Sequence, residues 1–532
     1  MRGIRGRNPA AGAATAVSFL ASPAWGHAFG QRYDLPVPLW LYLAGAGATV
    51  ALTLALLALF VREKDGVSDY PRFNLLGRLP GRLLAHRYAV TAVRLVSVAL
   101  FLLVVVAGFF GTQSPIRNIA PTMVWVIWWV GMAFVSALLG DLWALISPWN
   151  AIFAWIEAGY RRLKPGRAFG PGLAYPRWLG AWPAVGLFVA FAWSELVWNG
   201  GETPANIARM AVAYSLVTWA GMFAFGREIW LREGEVFAIA FGLLARFAPL
   251  ELRVTDAAVC CGCGAERCRE RPGECVNCYA CFARAGTARR QWNLRPYAVG
   301  LVSQRPVRPA MGVFVLAMLA TVSFDGFIET PAWAAILDWI AGNATLRPLL
   351  LDLRATGVDL LVAIKTLGLM LAPVLFLTVY LVFGRVMAYA VAGANGSAGE
   401  RRSTGEMCRL FVLSLVPIAI AYHLAHYLSF LLLAGQLVIP LASDPFGFGW
   451  NLFGTVDYAI DISVVSARLV WFVAVVTVVL GHVFAVYIAH MVALATFRDA
   501  RRARRSQYPM LVLMVGYTMI SLWILAQPVV QT

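Results

Sequence analysis

The sequence predicts an all-α, polytopic membrane helix bundle of about ten transmembrane helices with a small Cys-rich cytoplasmic insertion. Three observations predict it. The chain of 532 residues is 60% hydrophobic and only 13% charged, far from the balance of a soluble globular protein. Long runs free of Asp, Glu, Lys and Arg recur at bilayer-spanning length. Seven of the eight cysteines fall between Cys260 and Cys281.

Residues 1–28 read as a signal peptide, because Arg2, Arg5 and Arg7 precede a modest apolar stretch from Ala10 to Leu20 and then Pro23. Ala24, Gly26 and Ala28 offer small-residue cleavage points. Cutting after Gly26 would leave His27 as an N-terminal amine and imidazole able to chelate copper, whereas cutting after Ala28 removes it. Residues 29–250 then hold about five spans: Val37–Val61, Leu95–Pro115, Asn118–Gly140, and the shorter Trp178–Ser194 and Met210–Gly226. Residues 251–306 form the Cys/Arg-rich insertion. Residues 307–532 hold about five more: Pro309–Phe324, Thr366–Gly384, Leu410–Ser443, Leu469–Phe497 and Ser506–Thr532. Asp325–Ala355 reads as an external helical excursion.

The formal net charge of +17 sits in short clusters between apolar runs, which excludes the continuous basic face of a nucleic-acid binder. Arg62, Lys64, Arg72, Arg78, Arg82 and Arg87 fill one loop, Arg161, Arg162, Lys164 and Arg167 another, and Arg401, Arg402, Arg409 and Arg498–Arg505 two more. These alternate loops are cytoplasmic by the Lys/Arg excess, and the intervening ones face outward. The partners implied are membrane lipid, a small-molecule substrate, and a membrane or periplasmic protein. No P-loop, dinucleotide fingerprint, HExxH or nucleophile elbow is present.

Thiolates at CxxC spacing converge in a tight turn, and a second pair completes a tetrahedral site for a soft ion. Cys260, Cys261, Cys263, Cys268, Cys275, Cys278 and Cys281 supply enough sulfur for that. The CxxCxxC piece also matches three of the four ligands of the bacterial ferredoxin run, but no cysteine occurs from Phe282 to Ala285. A fourth ligand would come from Cys260 to Cys268. Flanking arginines place the segment in the cytoplasm, where thiols stay reduced. Structural zinc, an iron–sulfur cluster, and packed or redox-sensing thiols all remain open.

A second constellation lies inside the spans, where His423 and His426 occupy one helix and His482 and His490 the next. Helical rise puts His423, His426 and His482 at one level, roughly 21–25 Å from the nearest cytoplasmic arginines, and His490 lower. Glu195, Asp325 and Asp359 reach the same outer half and could complete a site for zinc or another divalent metal, with Glu329 near by. Such a site would acidify a bound water and polarise a phosphoryl or carbonyl oxygen. Haem or copper on the histidines is the competing functional reading. In the purely structural one the histidines hydrogen-bond Tyr422, Tyr427 or backbone carbonyls.

His27-Ala28-Phe29-Gly30, Tyr33-Asp34-Leu35-Pro36-Val37-Pro38-Leu39-Trp40-Leu41, the Cys260–Cys281 cluster, and the helices bearing Tyr422–Tyr427 and Gly481–His490 resemble bacterial membrane proteins of the fenitrothion hydrolase family. The resemblance runs through most of the chain. It implies a multi-pass bacterial inner-membrane hydrolase able to cleave organophosphate triesters, and it assigns no catalytic residues. The rival class is a membrane redox or metal-handling protein, with an iron–sulfur cluster on the cysteines and haem or copper on the histidines. Gly140–Trp149 faintly resembles the cysteine-bearing loop of membrane polyferredoxins, but cysteine is absent there.

Overall fold

The computed structural model describes residues 33–60, 70–263, 273–303, 305–392, 402–497, 499–527 and 530–531; the expected signal peptide and Cys268 lie outside them. The chain is helical almost throughout. In order come α1 (Leu39–Phe60), α2 (Arg87–Phe110), α3 (Ile119–Leu138), α4 (Leu142–Ile146), α5 (Pro148–Leu163), α6 (Trp182–Leu196) and α7 (Pro204–Phe225). Then follow α8 (Arg227–Glu233), α9 (Val236–Leu244), α10 (Pro309–Ile328), α11 (Leu360–Ala392), α12 (Thr404–Ser443), α13 (Ala467–Thr496) and α14 (Ala500–Ala526), with two shorter helices, Pro331–Gly342 and Arg347–Ala355, between α10 and α11. Among the described residues nine of these are long and apolar enough to cross a membrane, and α6 is a shorter apolar helix. The protein is therefore a helical membrane protein.

The segments flanking the first and last long helices meet. Tyr33–Asp34 (β1), just before α1, pairs in parallel with Val530–Gln531 (β6), just after α14. Within the bundle, α12 is central, with 83% of its most apolar stretch buried, whereas only 6% of that of α11 is buried. Leu367, Leu371, Leu375 and Leu381 of α11 line the outside of the bundle, whereas Leu369 is buried.

Two pairs of short helices fold back into the bundle from its arginine-rich end. Trp149, opening α5, donates Nε1–H to Ser215 Oγ in the middle of α7 (2.8 Å), and Trp219 of α7 donates to the Trp149 carbonyl (3.2 Å). Glu235, between α8 and α9, accepts from Phe237 N and Ala238 N and bonds Tyr214 of α7. Both tips thus lie about 15 Å in from the Phe225 end of α7. Close approach is possible because a side chain on Gly221 would collide with the Trp230 indole at 2.2 Å. Each tip is capped by its own side chain, Ser147 for α5 and Glu235 for α9, so the helix N–H groups are satisfied away from water. The segment 227–244 contains Arg227, Glu228, Arg232, Glu233 and Glu235, so no long uncharged run betrays this hairpin.

At the same end a small antiparallel sheet carries the cysteines, in the order β2 (Phe73–Asn74), β5 (Arg290–Leu294), β3 (Leu250–Val254), β4 (Cys275–Val276). Strand β2 comes from the first arginine-rich loop, so this unit draws on more than residues 251–306. Glu251 fastens it: its buried carboxylate accepts from Arg72 Nε (2.6 Å), Arg295 Nη1 (2.7 Å) and Tyr70 Oη (2.8 Å). Burial raises the Glu251 carboxyl, but the Arg295 and Arg72 charges outweigh it and hold the group below its ordinary range.

Candidate functional site

The cysteine unit is built around a left-handed residue. Asn277, at φ 51°, receives the carbonyl of Leu252 at its N–H (2.7 Å) and caps Leu252 N with Oδ1 (3.0 Å). Asparagine tolerates this conformation, and the turn folds Cys275 and Cys278 back toward one point. Cys281 follows one turn into the helix Tyr279–Arg284, and Cys263 arrives from the end of the helix Ala257–Cys261. The ligand atoms of Cys263, Cys275 and Cys281 all lie within 4.8 Å of one another, and all three residues are buried. Cys281 and Cys275 sulfurs are 3.7 Å apart, and Cys263 and Cys278 sulfurs 3.9 Å. This thiol cluster could hold a metal ion.

Of the other predicted sulfurs, Cys260 is buried beside the cluster with its Sγ on the Val254 carbonyl (3.5 Å), and Cys261 is exposed. Burial, with the neighbouring thiols adding to it, pushes the Cys275 and Cys281 thiols well up. The eighth cysteine, Cys408, packs against Gly384 far along the chain and bonds the Tyr380 carbonyl.

The second site sits inside the bundle, where α10 faces α12. Asp325 Oδ2 lies 2.9 Å from His426 Nε2 and 2.5 Å from Tyr427 Oη. His423, one turn earlier, lies with its ring tilted against that of Tyr427 at 4.7 Å and approaches Trp129 at 6.2 Å. Trp129 comes from Thr122–Val130, a π-helical stretch in the middle of α3. His423 Nε2 is buried and has no hydrogen-bond partner. The His423 residue lines a cavity of about 40 Å³ whose wall includes Glu195, Tyr427, Thr321 and, from α9, Ala240, Phe241 and Leu244. That volume accommodates about three waters.

The predicted residues therefore separate. His423, His426, Asp325 and Glu195 gather around Tyr427 and the cavity. His482 instead turns Nδ1 to the Val478 carbonyl of its own helix (2.8 Å) and faces Tyr517 at 5.9 Å, while its buried Nε2 has no partner. His490 bonds Gln507 Oε1 (2.9 Å). Asp359 is an exposed helix cap, accepting from Leu361 N (2.9 Å), Val362 N (3.2 Å) and Asn199 Nδ2 (3.1 Å). Equal depth along two helices does not fix the direction in which each side chain points, and this separates His482 from the pair. Among the described residues no three of these histidine and carboxylate groups meet within 4.8 Å, as the cysteines do. The sequence offers Tyr427 as a partner of the histidines; in the structure its hydroxyl goes to Asp325 instead.

Fold and sites together define a polytopic helical membrane protein with a buried thiol cluster at one end and a carboxylate–histidine–tyrosine cluster within its bundle. Comparison with protein-family models, curated proteins and solved structures gives no match.

Proposed function

We propose that the chain is a bacterial inner-membrane hydrolase, with its arginine-rich end and cysteine unit in the cytoplasm and its reacting groups in the outer half of the bilayer. The Lys/Arg excess supports this orientation. The single observation that carries the hydrolytic reading is the unpartnered, buried Nε2 of His423 beside a cavity that also holds Glu195. A water there would meet the His423 imidazole as base and the Glu195 carboxyl group as a second hydrogen-bonding partner. Asp325, held by His426 and Tyr427, supplies a fixed negative charge that would stabilise an imidazolium next door. Similarity to fenitrothion hydrolases suggests an apolar organophosphate triester as substrate, reached from lipid. The water proton passes to His423, a phosphorus–oxygen bond to water forms, and the aryloxide leaves.

The thiol cluster is read as a structural zinc site. Four thiolates at a Zn–S length of about 2.3 Å form a tetrahedron with edges of about 3.8 Å. The sulfur separations of 3.7 and 3.9 Å fit two of those edges; Cys278, outside the trio that already lies within 4.8 Å, would draw in as the fourth ligand. A multi-iron cluster distributes its thiolates over different irons and spreads them further apart. Zinc would close a unit too small to fold on its own core.

The test is hydrolysis of an aryl dialkyl phosphorothioate by detergent-purified protein, with His423→Ala and Glu195→Gln compared with wild type. A loss of at least about 100-fold in both, with unchanged elution on size exclusion, is the expected result. Full activity in both variants sinks the reading. Visible absorbance and bound iron in the wild type would move it to electron transfer.

A further inference from the structure

The cysteine unit rests on the feet of both inward-folded hairpins. Tyr279, between Cys278 and Cys281, donates its hydroxyl to the Asp141 carbonyl (2.5 Å) at the start of α4. The Asp141 carboxylate caps α4 at Ala144 N (3.1 Å) and lies against Gly242 of α9, where a Cβ would stand 3.6 Å from its Oδ2. Arg284 pairs with Glu228 at the start of α8. Arg295, already locked to Glu251, holds the carbonyls of Arg246 (3.1 Å) and Ala248 (3.3 Å), which join α9 to β3. One face of α9 thus meets Asp141, and Ala240, Phe241 and Leu244 of the same helix wall the cavity beside His423 and Glu195.

We propose that the metal state of the thiol cluster controls the intramembrane cavity, with Tyr279, Asp141 and α9 as the mechanical link. It rests on the metal reading of the thiols. When the ion is bound, Cys278 and Cys281 are tied together and the Tyr279 hydroxyl is held on the Asp141 carbonyl. That contact fixes Asp141 against Gly242 and keeps α9 seated on the cavity. When the ion is lost, the turn carrying Tyr279 loosens, Asp141 is released, and Phe241 and Leu244 gain freedom to move into or away from the space beside His423. A cytoplasmic signal that strips zinc or oxidises the thiols to a disulfide, with an oxidant such as peroxide taking up the two electrons, would in this way reach a site in the outer half of the membrane.

The experiment is hydrogen exchange by mass spectrometry on the full-length protein in micelles, following peptides that cover 236–244, with bound metal measured on the same samples. Zinc-loaded wild type, chelator-stripped wild type and zinc-loaded Tyr279→Phe are compared. Stripping should speed α9 exchange about tenfold, the value of one hydrogen bond of ordinary strength. Tyr279→Phe should do the same while retaining its zinc. Unchanged α9 exchange on stripping, or in a variant that keeps its zinc, overturns the coupling and leaves the metal reading standing. A wild type that binds no metal overturns both.

Discussion

Asp325 and His426, a hundred residues apart in sequence, share one short contact: Asp325 Oδ2 lies 2.9 Å from His426 Nε2, and the same oxygen accepts the Tyr427 hydroxyl at 2.5 Å. A carboxylate so placed among apolar helices persists only because both neighbours donate to it. It also fixes the His426 ring and draws Tyr427 onto His423.

Asp325→Asn removes the charge while preserving volume, and we expect it to lower triester hydrolysis by about 100- to 10,000-fold. Tyr427→Phe removes one donor and leaves the ring against His423, so a loss nearer tenfold is expected. Initial rates on micellar protein measure both. Equal losses would give Tyr427 a role as large as that of Asp325.

The thiols differ in what they touch, and metal content should follow that difference. Cys275→Ser and Cys281→Ser should purify with little or no metal, because each removes a buried sulfur from the central trio. Cys261→Ser should retain it, since Cys261 is exposed. Elemental analysis of the purified variants decides the matter, and retention of the metal by Cys275→Ser would relocate the site.

Glu251 carries a stability prediction with a defined pH dependence. Its carboxyl is held below the ordinary range in the folded protein, so the stabilisation it gives is present above its unfolded value, about 4.3, and is lost as pH falls through the lower folded value. Glu251→Gln leaves Arg295, whose side chain is only 1% exposed, without its charge partner. We expect destabilisation of the cysteine unit by about 3–5 kcal/mol at neutral pH. Urea titration followed by proteolysis within 251–303 measures it, and a difference that grew toward acid would contradict the assignment.

Much of this architecture is legible in the residues because lipid imposes a coarse rule: a span needs a long uncharged run, and all ten expected spans have a counterpart helix, including the short α6. The hairpins α4–α5 and α8–α9 were invisible to that rule. They reach only part-way into the bundle and carry Asp141, Glu233 and Glu235, whose charges a search for uncharged runs reads as loop. The cysteine cluster was legible from spacing, yet spacing alone left the fourth sulfur open between Cys260 and Cys268. The contact of Cys263 with Cys278 depends on β3 pairing with β4, a long-range feature. His423 and His426 were legible as one helix face. Asp325 joined them because α10 packs on α12, whereas Asp359, equally plausible by depth, serves as a helix cap at the end of the bundle.

Asp141 offers the sharpest test of the link between the two ends of the protein, because its carbonyl and its carboxylate do different work. The carbonyl receives Tyr279, and the carboxylate caps α4. Burial pushes that carboxyl up to about 6, only partly offset by the Ala144 N–H. A carboxyl raised on folding costs stability wherever the unfolded chain would ionise it, so the cost appears as pH climbs above about 4 and is complete above about 6. Asparagine caps a helix as well as aspartate does, keeps the carbonyl for Tyr279, and carries no charge to bury. Asp141→Asn should therefore match the wild type near pH 4 and exceed it at pH 7 by at most about 3 kcal/mol. Thermal melts across that range read it. Because the Tyr279 contact survives in this variant, its α9 exchange should still respond to zinc; a variant that gained stability but lost that response would show that the charge, and not the carbonyl, carries the coupling.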